Sequence, residues 1–196
     1  MNYVNISIVA ATAMFPHFTT SSENMLPSKN VFIIFGFTFK LFDIILANPL
    51  INSTEAAHGI VIHGGGWKKM ESLSIKKYEF KSLIKNKFNI SRVHDYYGMA
   101  EQAGSIYFEC SSSKFHVSNY SDIRILNSSF KPCQILEPGL IQTISILPYT
   151  YPGFSVLTLD MGVITSVESC ECGRNGKTFE VIGRINQTHV RGCSDT

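Results

Sequence analysis

Between residues 31 and 96, short β-rich runs alternate with segments of helical spacing, and this alternation restricts what the chain can fold into. Residues 31–35 are β-branched and aromatic, and Gly36 is expected to break the run. Residues 38–47 then place Phe39, Leu41, Phe42, Ile45 and Leu46 at helical spacing. Residues 60–63 read as the next strand, 69–86 as a helix offering Leu73, Tyr78, Phe80, Leu83 and Ile84 to one face, and 93–96 as a return to the sheet. Such an order predicts an α/β fold, a mainly parallel sheet with flanking helices, in which ligands collect at the carboxyl ends of strands. After Tyr107 the texture changes to short β runs at 114–117, 123–126, 139–146 and 156–159. Turn chemistry at Asn127-Ser128-Ser129, Glu137-Pro138-Gly139 and Tyr151-Pro152-Gly153 separates them. The expected organisation is an N-terminal strand and loop over 1–28, an α/β part over 29–108 and a smaller β-rich subdomain over 109–196.

A chain of 196 residues buries one sizeable core. Its formal charge of +2, from 17 basic and 15 acidic residues with no long basic run, gives no electrostatic footprint for nucleic acid. The apolar stretch 6–15 lacks a basic leader and is too short to span a bilayer, so it is expected to be a buried strand. Lys40 and Asp43 interrupt the apolar stretch 31–50, which suits an amphipathic helix on a sheet. The expectation is a cytoplasmic protein with no membrane insertion, whose five cysteines stay reduced for metal or thioester chemistry.

Residues 95–110, DYYGMAEQAGSIYFEC, carry the densest chemistry. Tyr97 offers an aromatic face to a purine, Gly98 lets the backbone approach a ligand, and Glu101 offers a hard oxygen to magnesium. An ordinary turn, with Glu101 as a helix-start carboxylate, is the plainer alternative. Gly64, Gly65 and Gly66 suit a backbone cradle for part of a nucleotide or a simple strand-to-helix turn; the glycine-lysine-serine spacing of a P-loop is absent. Asp160, read as the end of an apolar strand, can accept both hydroxyls of a ribose, although aspartate is also a common turn residue. Arg184 after Gly183 reaches the same ribose or a phosphate, or is a surface arginine.

The cysteines form a second constellation. Cys170 and Cys172 make a two-thiolate clip, and Cys110 and His116 are expected on one hairpin; three sulfurs and one nitrogen complete a closed tetrahedral zinc set. Free cysteines with a surface histidine are the alternative. Cys133 reads as an inert turn or edge residue.

In order along the chain, HGGGWKK (63–69), YYGMAEQ (96–102), LTLDMG (157–162), GRINQ (183–187) and VRGCSDT (190–196) resemble the adenylate-forming superfamily. Within it they look most like the acyl-protein synthetases of the bacterial fatty-acid reductase system, often called LuxE, from about Lys29 to the C-terminus. The resemblance implies an ATP-dependent acyl-adenylate-forming ligase that uses magnesium. Gly64 to Gly66 would lie beside adenine, Tyr97 would pack on it with Gly98 and Met99 in the same loop, and Glu101 would contact the magnesium. Asp160 and Arg184 would hold the nucleoside. It further implies a fatty-acid or other carboxylic-acid substrate, a protein thiol as acceptor with Cys193 as candidate, and an acyl-CoA-reductase-type partner. Similar cysteine and histidine positions in phenylacetate-CoA-ligase-like relatives imply a structural zinc.

The pattern is also departed from. Ala100 replaces the family's threonine, and Thr19-Thr20-Ser21-Ser22-Glu23 lacks the glycines of the superfamily's phosphate loop. The C-terminal domain from which these enzymes usually present a lysine to the acyl carboxylate and α-phosphate is expected to be missing. These departures predict a fragment carrying the distal two-thirds of an adenylating domain, with nucleotide binding outlasting turnover. Two other readings stand beside it: a ligase with CoA as acceptor, and a zinc-stabilised, non-catalytic nucleotide-binding or interaction module.

Overall fold

The computed structural model describes residues 7–11, 32–47, 59–67 and 75–185, and the chain divides into two compact units, Met1–Asp95 and Tyr96–Thr196. In the first unit, β1 (Ser7–Ala11), β2 (Phe32–Phe37) and β3 (Ile60–Gly64) pair in parallel, with Ser7 opposite Phe32 and Ile33 opposite Ile60. The start of β4 (Arg92–Gly98) lies beside β3. Gly36 does not break β2. It is buried, pairing with Ala11 on one side and His63 on the other, so the double ladder carries the strand on to Phe37. The rest of the apolar stretch 6–15 lies outside the described residues.

Helix α1 (Thr38–Ala47) buries Thr38, Leu41, Phe42 and Ile45, the i, i+3, i+4, i+7 stripe of a helix packed on a sheet, and Asp43 is exposed. No described helix is long and apolar enough to cross a membrane. The second helix, α2 (Lys77–Phe88), starts later than residue 69, and residues 69–74 lie outside the described residues. Lys76 is extended, and Glu79 Oε2 accepts its backbone N–H at 2.8 Å, which fixes the helix start there. Asn89 in the left-handed conformation ends the helix, its N–H donating to Lys85 O. Phe80 and Ile84 face inward, whereas Tyr78, expected on that face, is exposed because it falls outside their stripe. With Val61, Ile90 and Val93 they complete the core of this unit, against which Trp67 packs edge-on to Phe42.

The second unit begins with a hairpin. Residues Tyr96 to Gly98 of β4 pair antiparallel with β5 (Ile106–Phe108), Tyr97 opposite Tyr107. A separate antiparallel sheet follows, built from β6 (Phe115–His116), β7 (Ser121–Leu126), β8 (Gly139–Ser145), β9 (Ser155–Ser166) and β10 (Thr178–Arg184), in the order β6-β10-β9-β8-β7. Alternation is visible in β8, where Gly139, Ile141, Thr143 and Ser145 are buried and the residues between are not fully buried. Gly162 in β9 shows how tightly the strands meet: a Cβ there would lie 2.6 Å from Glu180 O and 2.8 Å from Ile141 Cδ1. Tyr107, Phe115, Ile123, Ile125, Ile141, Ile164 and Phe179 form the core of this unit.

Phe179 is fully buried at its centre. Phe179→Ala is expected to destabilise the unit by about 3–5 kcal/mol, read as a lower denaturation midpoint in urea. A midpoint within error of the unsubstituted chain would contradict the packing described.

Candidate functional site

Residues from three separated segments meet at Asp160. The expectation that Asp160 ends a strand is corrected: β9 continues to Ser166, so the carboxylate projects from mid-strand, with Arg184 of β10 as its cross-strand partner. The ladder persists because β10 absorbs a register shift between Val181 and Gly183. Tyr97 donates its hydroxyl to Asp160 Oδ2 at 2.9 Å, and Arg184 Nε stands 3.7 Å from Oδ1. Thr158 fixes the local backbone. Its hydroxyl donates to Ile141 O at 2.8 Å and accepts the Asp160 N–H at 3.1 Å. Burial first, then the neighbouring Asp160 charge, push the Tyr97 phenol far above its ordinary range, so it remains a donor. Its ring sits 5.9–6.3 Å, centroid to centroid, from those of Phe179, Tyr107 and Phe115.

The loop after Tyr97 is pinned along β8 and the chain entering β9. Gln102 is buried and its amide donates to Gly153 O at 2.9 Å and Thr143 O at 3.4 Å; Met99 Sδ accepts from Thr143 Oγ1 at 3.9 Å. Ala103 N–H donates to the Tyr151 hydroxyl at 2.9 Å. Glu101 lies in a single 3-10 turn (Ala100–Gln102) with its carboxylate side exposed, rather than at the start of a longer helix. Gly98 has a structural reason to be small, since a Cβ would sit 3.2 Å from Ser105 O across the hairpin.

The four metal-ligating candidates do come together. Cys110 Sγ is 3.8 Å from Cys170 Sγ, Cys172 Sγ is 3.3 Å from His116 Nε2, and all four donor atoms lie within 4.8 Å of one another. A zinc-centred tetrahedron has S–S edges of about 3.8 Å and S–N edges of about 3.6 Å, so the donor set fits that ion. Two turns of the same design build it. Cys110 N–H donates to Lys114 O and Ser113 N–H to Cys110 O; Cys170 N–H donates to Arg174 O and Gly173 N–H to Cys170 O. Ser113 and Gly173 hold the matching positive φ values, 59° and 84°. Ser112 occupies in the first turn the place that Cys172 has in the second, and His116 on β6 supplies the fourth donor instead. Burial, and then the Arg174 charge, lower the His116 pKa, which keeps the imidazole neutral and its lone pair free for a metal.

In the first unit, Gly64 closes β3, and Gly65 and Gly66 follow, exposed; only Gly65 has a positive φ, 76°. Beside them is a cavity of about 110 Å³ lined by Thr38, His63, Gly65, Trp67, Lys77 and Asp95, among others. Thr38 donates to Gly64 O at 3.2 Å and its oxygen lies 2.9 Å from His63 Nδ1. The single threonine proton therefore assigns the histidine proton to Nδ1. Asp95 lies 3.9 Å from that nitrogen and pairs with Lys77 Nζ at 3.2 Å. Neither this quartet nor the Gln102 clamp is signalled by sequence spacing, because each joins residues brought together only by the tertiary fold. Cys193 lies outside the described residues.

The fold is that of adenylate-forming enzymes. An open conformation of 2-hydroxyisobutyryl-CoA ligase in complex with 2-HIB-AMP and CoA superimposes with a TM-score of 0.59 at 15% identity, over 79% of this chain and 36% of that one. ATP-bound MatB from Rhodopseudomonas palustris gives 0.52 at 14%, over 78% and 30%. The family model described as acyl-protein synthetase, LuxE, matches residues 7–196, and the chain belongs to that family. It is 28% identical over 138 residues to the long-chain-fatty-acid–luciferin-component ligase of Vibrio harveyi and 27% identical to that of Aliivibrio fischeri, covering 68% of this chain in each case. The matched region is 35% and 36% of those relatives, so the chain spans about a third of their length.

Removing the Gln102 clamp isolates its contribution. Gln102→Ala leaves two carbonyls without their donor and is expected to cost roughly 1–3 kcal/mol. Amide hydrogen exchange should accelerate between residues 99 and 105 while β8 stays protected. Unchanged exchange in that loop would rule the clamp out.

Proposed function

We propose that the chain carries the nucleoside-holding part of an acyl-adenylate-forming ligase of the acyl-protein synthetase type. The observation that carries this reading is the convergence of Tyr97, Asp160 and Arg184, one from each of three ordered motifs, on one carboxylate. Asp160 receives the ribose hydroxyls, Arg184 supplies positive charge beside it, and Tyr97 with Gly98 and Met99 borders the base. Gly64, Gly65 and Gly66, in the first unit, are a backbone cradle for part of a nucleotide. Glu101 is the carboxylate that takes magnesium, which when bound neutralises charge on the phosphates of ATP.

The substrate class is a long-chain fatty acid or a related carboxylic acid. Its carboxylate attacks the α-phosphorus of ATP and pyrophosphate leaves; a thiolate then attacks the acyl carbon and AMP leaves. Cys193 is the proposed thiol within this chain, and a reductase that consumes the thioester is the proposed partner. Cys110, His116, Cys170 and Cys172 hold a structural zinc, whose four protein donors close the coordination sphere.

Two measurements test this reading. Calorimetric titration with AMP or a non-hydrolysable acyl-adenylate analogue should show binding that Asp160→Ala weakens on the order of tenfold or more. No detectable binding would remove the nucleotide site and leave a metal-stabilised module. Protein purified without chelator should contain one zinc per chain, lost in Cys172→Ser, and chelation should lower its unfolding midpoint. Metal-free protein of unchanged stability would reject the zinc assignment.

A further inference from the structure

We propose that Tyr97 is a positioning residue that acts through Asp160, its hydroxyl holding the carboxylate in the orientation that receives a vicinal diol. The proposal rests on the nucleoside reading above and deepens it.

Asp160 is only partly buried, and an aspartate on a strand face has two side-chain torsions to fix. Among the described contacts, the Tyr97 hydroxyl at 2.9 Å is the side-chain group within hydrogen-bond distance of that carboxylate; Arg184 at 3.7 Å adds charge and little direction. Thr158 serves the Asp160 backbone and not its carboxylate. The phenol is therefore what sets the direction of the carboxylate.

Tyr97 is itself unable to swing away. Its backbone is paired with Tyr107 in the hairpin, and its ring lies among Tyr107, Phe115 and Phe179, of which Tyr107 and Phe179 are at most 1% exposed. A rigid donor at the end of a packed ring gives one fixed direction to Oδ2. An ionised carboxylate has about four lone-pair sites. One is taken by the phenol, which leaves Oδ1 and a second lone pair on Oδ2 for two adjacent hydroxyls. Two donors on neighbouring carbons of one ring match that remainder, which is the chemistry of the ribose 2′ and 3′ hydroxyls.

A platform role for the ring and a positioning role for the hydroxyl make different demands on the ligand. If the phenol acts through Asp160, its removal is felt only by ligands that carry the diol. The experiment titrates the unsubstituted chain, Tyr97→Phe, Asp160→Ala and the double variant with AMP and with 2′,3′-dideoxy-AMP. Tyr107→Phe serves as control, since it also loses a core phenol, one that faces Asp122 O at 3.4 Å. Tyr97→Phe is expected to weaken AMP on the order of tenfold, as for a charge-assisted hydrogen bond, and dideoxy-AMP by less than about twofold. The double variant should bind AMP no more weakly than Asp160→Ala, and Tyr107→Phe should match the unsubstituted chain with both ligands.

Equal losses for AMP and dideoxy-AMP in Tyr97→Phe would overturn the proposal in favour of ring packing alone. So would unchanged AMP binding in Tyr97→Phe when Asp160→Ala is impaired; the nucleoside reading would then survive. Unchanged AMP binding in Asp160→Ala would instead remove the ribose assignment, and the positioning role with it.

Discussion

The second unit is organised by one aromatic contact set. Phe179 of β10 meets Tyr107 of β5 edge-on at 5.3 Å, Phe115 of β6 at 5.5 Å and Tyr97 of β4 at 5.9 Å. Four strands are joined by these rings, including β4 and β5, which belong to the other sheet. The rings bury large apolar area and fix mutual orientation through their edge-to-face preference. Two of them also set the place of a chemical neighbour: Tyr97 reaches Asp160 through its hydroxyl, and Phe115 precedes His116 in β6. The aromatic packing is thus the mechanical link between the fold of this unit and both of its residue constellations.

The turns that carry the four candidate metal ligands bring together distant parts of the chain. Cys110 and Cys170 are separated by 60 residues, yet their sulfurs are 3.8 Å apart. A permanent link across a loop of that length restricts the unfolded chain by roughly 4 kcal/mol on a chain-entropy model. The zinc coordination proposed above would supply such a link without oxidation. Among the described residues Cys110, Cys133, Cys170 and Cys172 are free thiols. Placing β6 beside β10 brings the first turn to the second, so strand order alone gathers the four candidate donors.

Much of this was legible in the sequence because it is periodic or punctuated. The helix over residues 38–47 is seen at those bounds, its apolar stripe being unambiguous, and the turn residues marked the β runs that follow. The four metal-ligating candidates were found because each pair sits within one local turn and its flanking strand. What failed depended on neighbours. Gly36 breaks an isolated strand but not one paired on both sides, and the start of α2 was decided by Glu79 reaching back to Lys76. The Thr38–His63–Asp95–Lys77 quartet joins residues from α1, β3, β4 and α2, for which no local pattern exists.

Asp160 shows most clearly how a motif can be read before its geometry is. Its motif suggested the end of an apolar strand, since Met161-Gly162 follows, and a carboxylate at a strand end is held on one side only. In the fold Gly162 serves strand packing: a Cβ there would collide with Glu180 O and Ile141, so the glycine keeps β8, β9 and β10 in close register. The strand consequently runs through Asp160 with ladders on both sides, and Thr158 and Tyr97 fix its backbone and its carboxylate separately. A carboxylate on a paired strand is held more closely than one on a loop, which suits the diol-receiving role proposed for Asp160. Gly162, two residues beyond Asp160, therefore acts through packing, by keeping the aspartate on a rigid element.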